Sequence, residues 1–491
     1  MEKFDLCVIG GGPSGYAAAM RAIDFGKRVL LIEKDKIGGA GLYNGALWSK
    51  TMWEYSMKIF HLREEQGEQD VSFEKLKQVA DEAIFDRKFQ MTCHLKLLQT
   101  EAAQKLCFYE KGLGKILDKN HVEVIKAGGD KIIYETDYIL VATGSRPRAL
   151  PHIVVDEQTI VSSDGIQNFK HLPESMVILG AGVIGCEFAT IFSNLGKTRV
   201  FLIDKAPRIL PFEDEDVAQA VTTNFEKNGV IVHKGASLES MNMVNGMVHY
   251  RLVYEDGRKE DHIVEKALVA VGRVPNIENI GLENVGIRLT ERGYVEENDT
   301  QTNVDNIFVA GDICASMALV NIGEREARHA VVRMFGPPIK ELVYTNISTI
   351  MFLNPEVATV GMGEQDAIKK GISVKVAKID YSCIARAIAM RRTFGFFKII
   401  VSNDEKMSVL GMRAVGEHAS SAIQAVALLI YMNKGIEELA NMMHPHPSII
   451  EGIQECMRML LHKSIYKPTV FKDKLQCYIR EKEICTPIAH F

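Results

Sequence analysis

No stretch of the sequence approaches the roughly 18 uninterrupted apolar residues that a bilayer-spanning helix needs, so no membrane span is expected. No CxxC pair occurs either. The nine cysteines stand singly along the chain, as suits reduced thiols in a reducing compartment. No metal site is expected. A basic surplus is also missing: the formal net charge is -5, and nucleic acid is not expected as a partner. The start, MEKFDLCVIGGG, runs straight into a strand-like segment. That leaves no room for a signal or transit peptide, and a cytoplasmic location is expected.

What is present is the composition of a globular chain. The 491 residues are 47% hydrophobic and 25% charged. At roughly 100–200 residues per domain, the length suggests about three domains.

The segment FDLCVIGGGPSGYAAAMRAIDFGKRVLLIEK reads as strand, tight turn, helix, strand. Gly10, Gly12 and Gly15 fit GxGxxG. The first glycine makes the turn, the second admits a pyrophosphate against the backbone, and the third lets helix pack on strand. The helix N-terminus then faces the phosphates with its positive dipole end. Glu33 follows Gly15 by 18 positions, where a carboxylate can accept bonds from ribose hydroxyls. The pattern recurs in MVILGAGVIGCEFATIFSNLGKTRVFLIDK, with Gly180, Gly182 and Gly185, and with Asp204 19 positions beyond Gly185. Two fingerprints imply two dinucleotides, a flavin paired with a nicotinamide. Asp204 favours the free 2′-hydroxyl of NAD, while nearby Lys205 and Arg208 leave NADP open.

Residues from about Thr51 to Ala103 read as amphipathic helices packed on the first domain. LCFYEKGLGKILDKNHVEV reads as a hairpin, and YILVATGSRPR as a buried strand ending in a Gly-Ser turn. ALVAVGRVPN repeats the strand-then-glycine form, and TNVDNIFVAGDIC closes a strand near Asp312. From about Asn346 the chain alternates strand-like and helical segments.

The motifs IGGGPSGYAAA, VATGSRP, GAGVIGCEFA, VGRVPN, IFVAGDI, NPEVATVGMGE and HPHPSIIE stand in this order. In them the chain resembles the class I pyridine nucleotide–disulfide oxidoreductases, and is most similar to the dihydrolipoamide dehydrogenases, over about residues 4 to 462. The resemblance implies an α/β fold with two Rossmann-like dinucleotide-binding domains, for FAD and NAD, and a C-terminal α+β dimerisation domain. On this chain it implies an FAD domain over 1–150 and 275–345 and an NAD domain over 151–274. A dimerisation domain over 346–465 and an extension over 466–491 complete it. It further implies a homodimer whose active sites borrow residues from the partner's tail, with room for a larger assembly. Carried over by position, Gly10, Gly12, Gly15, Glu33, Lys50, Gly114, Thr143, Gly144, Ser145, Asp312 and Ala318 would touch FAD. Gly180, Gly182, Gly185, Glu187, Asp204 and Gly272 would line the NAD site. Lys50 and Glu187 would form an ion pair near the flavin. His446 and Glu451 match the family's catalytic histidine and its carboxylate partner, and a histidine titrates nearest neutrality.

The family's redox segment carries two cysteines separated by four residues. The matching stretch here is GGAGLYNGALWSK, with Gly41 and Ala46 at those positions. Trp48 stands where the family has a proline, and Asn321 where the lipoamide enzymes have a histidine. Cys314, Cys477 and Cys485 read as isolated packing or surface cysteines. Without a thiolate there is no attack on a bound disulfide. The expected function is therefore an FAD-dependent NAD(P)H oxidoreductase passing hydride to a small non-disulfide acceptor: a quinone, a dye, a second nicotinamide or oxygen. The catalytic residues would be His446, Glu451 and Lys50. The alternative is a retired flavoprotein kept as a structural or binding subunit, with the C-terminal extension docking a partner. A working dihydrolipoamide dehydrogenase would need an unrecognised sulfur relay.

Overall fold

The computed structural model describes residues 1–100, 105–315 and 317–488. The chain divides into two compact units. One comprises residues 1–55, 70–172 and 271–342, and the other residues 56–69, 173–270 and 343–491.

In the first unit, a parallel sheet runs in the order Cys107–Lys111, Val29–Glu33, Lys3–Ile9, Lys131–Val141, with Ile307–Val309 also paired to Lys131–Val141. His121–Ile125 and Leu113–Asp118 extend it antiparallel. Successive side chains of a strand point to opposite faces. Leu6, Val8, Val29 and Leu31 accordingly enter one core, while Cys7, Ile9, Leu30 and Ile32 enter another. Covered on both sides, these strands have no reason to alternate with polar residues. The helix Pro13–Asp24 starts with proline at its first turn and buries Gly15, Ala18, Ala19 and Ala22, small residues that let it lie close to the sheet. The sequence-expected hairpin is only partly formed. Leu113–Asp118 and His121–Ile125 do pair, but Cys107–Lys111 joins Val29–Glu33 in parallel instead. The helices Ala46–Gln66, whose residues from 56 on belong to the second unit, and Phe73–Thr100 fill the expected helical stretch; positions 101–103 of that expectation lie outside the described residues.

In the second unit, Ile231–Lys234, Arg199–Asp204, Ser175–Leu179 and Lys266–Val269 form a parallel sheet. Ala236–Val244, Met247–Tyr254 and Lys259–Val264 form an antiparallel meander. A third sheet, antiparallel, runs Ser348–Met351, Val357–Gly361, Val409–Val415, Phe396–Ser402, Val374–Asp380, Leu475–Glu481, Ile484–Pro487. The C-terminal extension is thus built into this sheet through Pro487. Leu475 and Cys477 are buried in the core on this sheet, and the Leu475–Glu481 strand pairs what would otherwise be an open edge of Val374–Asp380. Residues 489–491 of the extension lie outside the described residues. Among the described residues, no helix is long and apolar enough to cross a membrane.

Candidate functional site: two nucleotide cradles and a histidine–carboxylate pair

The first cradle begins where strand Lys3–Ile9 ends. Gly10 has φ 113°, and a Cβ there would lie 2.3 Å from the Ala142 carbonyl oxygen. A Cβ on Gly15 would lie 1.8 Å from the Gly10 carbonyl oxygen. Gly12 differs: it caps helix Pro13–Asp24 with no side-chain hydrogen bond, and a Cβ there would meet nothing within 4 Å. Free helix N-terminal N–H groups beside open space are what an anionic pyrophosphate requires, so the residues present fit a dinucleotide. The second cradle repeats this. Gly182 caps helix Val183–Leu195 without a side-chain bond and has open space, while a Cβ on Gly185 would lie 1.9 Å from the Gly180 oxygen.

Both acids have backbone partners within the chain. Glu33 accepts from the Gly11 N–H at 2.7 Å and from the Asp35 N–H at 2.7 Å. Asp204 accepts from the Ala181 N–H at 2.7 Å and from the Ala206 N–H at 2.8 Å. Each carboxylate therefore clamps the middle residue of its own glycine turn, with further lone pairs left for ligand hydroxyls. Near the second cradle Lys205 is exposed, and Arg208 turns toward the Pro211 carbonyl at 3.2 Å.

Around the Gly144 turn, Thr143 Oγ1 donates to the Asn276 carbonyl at 2.7 Å, and Asn276 Nδ2 donates back to the Thr143 carbonyl at 2.9 Å. Ser145 Oγ donates to Asp312 Oδ2 at 2.6 Å, and Arg273 Nε donates to Ser145 Oγ at 2.7 Å. Sequence reading missed Arg273 and Asn276; their place inside VGRVPN was the available signal. Gly272, with φ 105°, accepts from the Arg148 N–H at 2.9 Å. Gly114 is buried on its strand against Ile9 and Ile32, and Ala318 is exposed.

The segment GGAGLYNGALWSK, expected to correspond to the redox motif, is tightly packed at Gly41. Gly41 lies in the short helix Gly39–Leu42, and a Cβ there would sit 2.4 Å from Pro13 Cγ. Ala46 opens the helix Ala46–Gln66. Trp48 is only 1% exposed, and its indole N–H has no hydrogen-bond partner among the described residues. Lys50 Nζ lies 3.4 Å from Ser49 Oγ. All nine cysteines are free thiols. Cys314 packs in the core with Ile313 and Val295, and burial pushes its thiol well above the usual range.

In the second unit, His446 Nδ1 lies 2.8 Å from Glu451 Oε1, and Glu451 Oε2 accepts from the Ser448 N–H at 2.8 Å. Partial burial opposes ionisation of Glu451. The Ser448 N–H and the His446 ring outweigh it and hold the carboxyl below its ordinary range. The His446 ring stays mostly exposed, with its other nitrogen unclaimed by the Glu451 bond. The loop beneath is braced by Gln454, which donates to the Ala440 and Met442 carbonyls at 3.0 and 2.8 Å. Glu187 is buried and accepts from the Phe352 N–H at 3.1 Å.

Two glycine cradles on one chain, each answered by a carboxylate, define a protein of the two-dinucleotide α/β class. Comparison with known proteins makes the class particular. Residues 4–327 match the family described as pyridine nucleotide-disulphide oxidoreductase, and residues 347–457 match its dimerisation domain. Dihydrolipoyl dehydrogenase 3 of Haloarcula marismortui is 32% identical over 477 residues, covering 94% of this chain and 98% of that protein. Dihydrolipoyl dehydrogenase of Chlamydia muridarum is 31% identical, covering 96% of this chain and 100% of that protein. The crystal structure of LpdA from Mycobacterium tuberculosis superposes with TM-score 0.85 at 26% identity, covering 94% of this chain and 100% of that one. The chain belongs to the pyridine nucleotide-disulphide oxidoreductase family. FAD and NAD are the cofactors of that family, and the α/β fold with a C-terminal dimerisation domain is that of its flavoproteins.

Proposed function

We propose that the chain is an FAD-dependent NAD(P)H oxidoreductase whose electrons go to an acceptor other than a disulfide: a quinone, a dye, a second nicotinamide or oxygen. The observation that carries this reading is the pairing of two complete glycine cradles with a sulfur-free segment. No cysteine lies between Cys7 and Cys93, and Gly41 has no space for a side chain. Disulfide exchange needs a thiolate. FAD, when bound, supplies the hydride-accepting chemistry and passes electrons onward.

The chain's own groups have definite tasks in this reading. Residues 1–150 and 275–345 would hold FAD, with the N–H groups at Gly12 facing its pyrophosphate and Glu33 its ribose. Residues 151–274 would hold NAD through Gly182 and Asp204 in the same way. Lys50 contributes positive charge where negative charge develops. His446, oriented by Glu451 through Nδ1, delivers a proton from Nε2 to the reduced acceptor, as a positioned histidine does near neutral pH. Residues 346–465 join two copies, which the exposed apolar side chains Leu428, Tyr431, Met432, Met442 and Met443 favour.

The test is anaerobic. The yellow protein should bleach with NADH and recover colour when a quinone is added, while dihydrolipoamide leaves it yellow. Bleaching by dihydrolipoamide would overturn the acceptor assignment. A yellow protein that NADH cannot bleach would mean a flavin-bearing scaffold instead.

A further inference from the structure

The second unit also holds two imidazoles, a carboxylate and a phenol close together, His233 meeting Tyr254, Glu260 and His262 from a separate strand. His233 lies on strand Ile231–Lys234, while Glu260 and His262 lie on Lys259–Val264. Glu260 and His262 are two residues apart and so share a face. We propose that His233, Glu260 and His262 form a site for one divalent transition-metal ion of the zinc type, joining the parallel sheet to the meander.

The donor atoms already converge. His262 Nε2 lies 3.1 Å and His233 Nδ1 3.8 Å from Glu260 Oε2, and one donor atom from each of the three residues lies within 4.8 Å of the others. A tetrahedral ion with bonds of about 2.0–2.2 Å sets its ligand atoms about 3.3–3.5 Å apart, so a small contraction completes the site. The Tyr254 hydroxyl lies 2.6 Å from His233 Nδ1 and 3.1 Å from Glu260 Oε2, within reach of an ion held by those donors. Two imidazole nitrogens and one carboxylate form a donor set suited to Zn2+ or Cu2+ rather than to Mg2+ or Ca2+.

The surroundings hold these donors in place. His233 is 10% exposed and His262 23% exposed. His233 stacks on Phe201 with centroids 6.2 Å apart, and His262 on Tyr250 with centroids 5.0 Å apart. Arg258 pairs with the opposite oxygen of Glu260, leaving Oε2 to face the histidines.

The full chain carrying FAD is dialysed to equilibrium against Zn2+ and the bound metal is counted. Cu2+ is then added to a second sample for electron paramagnetic resonance. The expected result is one tight equivalent of Zn2+ and a Cu2+ signal split by two nitrogens. His233→Phe and His262→Phe, which keep an aromatic ring in each stack, should each lose that equivalent and one nitrogen coupling. Glu260→Gln should weaken binding at least tenfold. Unchanged stoichiometry and affinity in the folded, yellow variants would overturn the site. Should the variants fail to fold, the wild-type chain decides alone: saturating Zn2+ must raise its melting temperature, since an ion bound only by the folded state stabilises it, and no shift would equally overturn the proposal.

Discussion

A single methyl group separates two roles among the glycines. At Gly185 an added Cβ collides with backbone 1.9 Å away, whereas at Gly182 it enters open space. Gly185→Ala should therefore cost about 3 kcal/mol or more of stability, since backbone cannot step aside as a side chain can. Gly182→Ala should leave stability within about 0.5 kcal/mol yet weaken NADH binding about tenfold or more, or ~1.4 kcal/mol, if the methyl enters the pyrophosphate approach proposed above. Melting curves paired with NADH titrations distinguish the two; equal effects on both measurements would refute the division of labour. The same geometry bears on the expected absence of a redox disulfide. With Pro13 Cγ 2.4 Å from a Cβ at position 41, the double variant Gly41→Cys, Ala46→Cys should lose about 1–3 kcal/mol and gain no dihydrolipoamide activity. An assay that recovers such activity would show that the segment has kept room for its disulfide.

Between elements, Lys398 on strand Phe396–Ser402 centres a buried electrostatic cluster. Its ammonium is 0% exposed and contacts Asp214, Asp216 and Glu364 at 2.8, 2.7 and 2.8 Å. Asp214 also accepts from the Glu364 and Gln365 N–H groups at 3.1 Å each, at the start of helix Glu364–Lys370. Removing one partner from a buried cluster strands the others in low dielectric. Lys398→Met should cost about 3–5 kcal/mol in denaturant unfolding. Burial alone would raise the Asp216 carboxyl, but Lys398 and Lys378 overcome it and depress it to about 2. A depressed carboxyl stabilises the fold above its unfolded value near 3.8 and loses that contribution as pH falls through its folded value. The wild-type chain should thus hold its fold further into acid than Lys398→Met does. Acid unfolding followed by circular dichroism, with coincident midpoints for both proteins, would contradict this.

For the whole molecule, the outer face of residues 428–443 leaves Leu428, Tyr431 and Met432 more than half exposed and Met443 98% exposed. Apolar surface of this kind marks an association face, and residues 347–457 match a dimerisation domain. Light scattering should give twice 54.8 kDa, and Tyr431→Asp with Met443→Asp should shift it toward the single-chain mass at micromolar concentration. An unaltered mass would place the dimer contact elsewhere. What could be read directly from the residues was whatever rests on short-range chemistry. A glycine turn, a helix start and an acid 18 or 19 positions on belong to one βαβ unit, whose geometry follows from neighbouring dihedrals and hydrophobic period. The sulfur-free segment was equally plain, since a missing side chain needs no fold to be noticed. The tertiary structure alone decided what depends on register between distant strands. It sent Cys107–Lys111 to a parallel neighbour rather than a hairpin, and drew the C-terminal extension onto Val374–Asp380. It also gathered Lys398 with an aspartate 182 positions away, and turned His233 toward Glu260 and His262. No local pattern encodes such meetings, because burial and backbone pairing across the whole chain fix them.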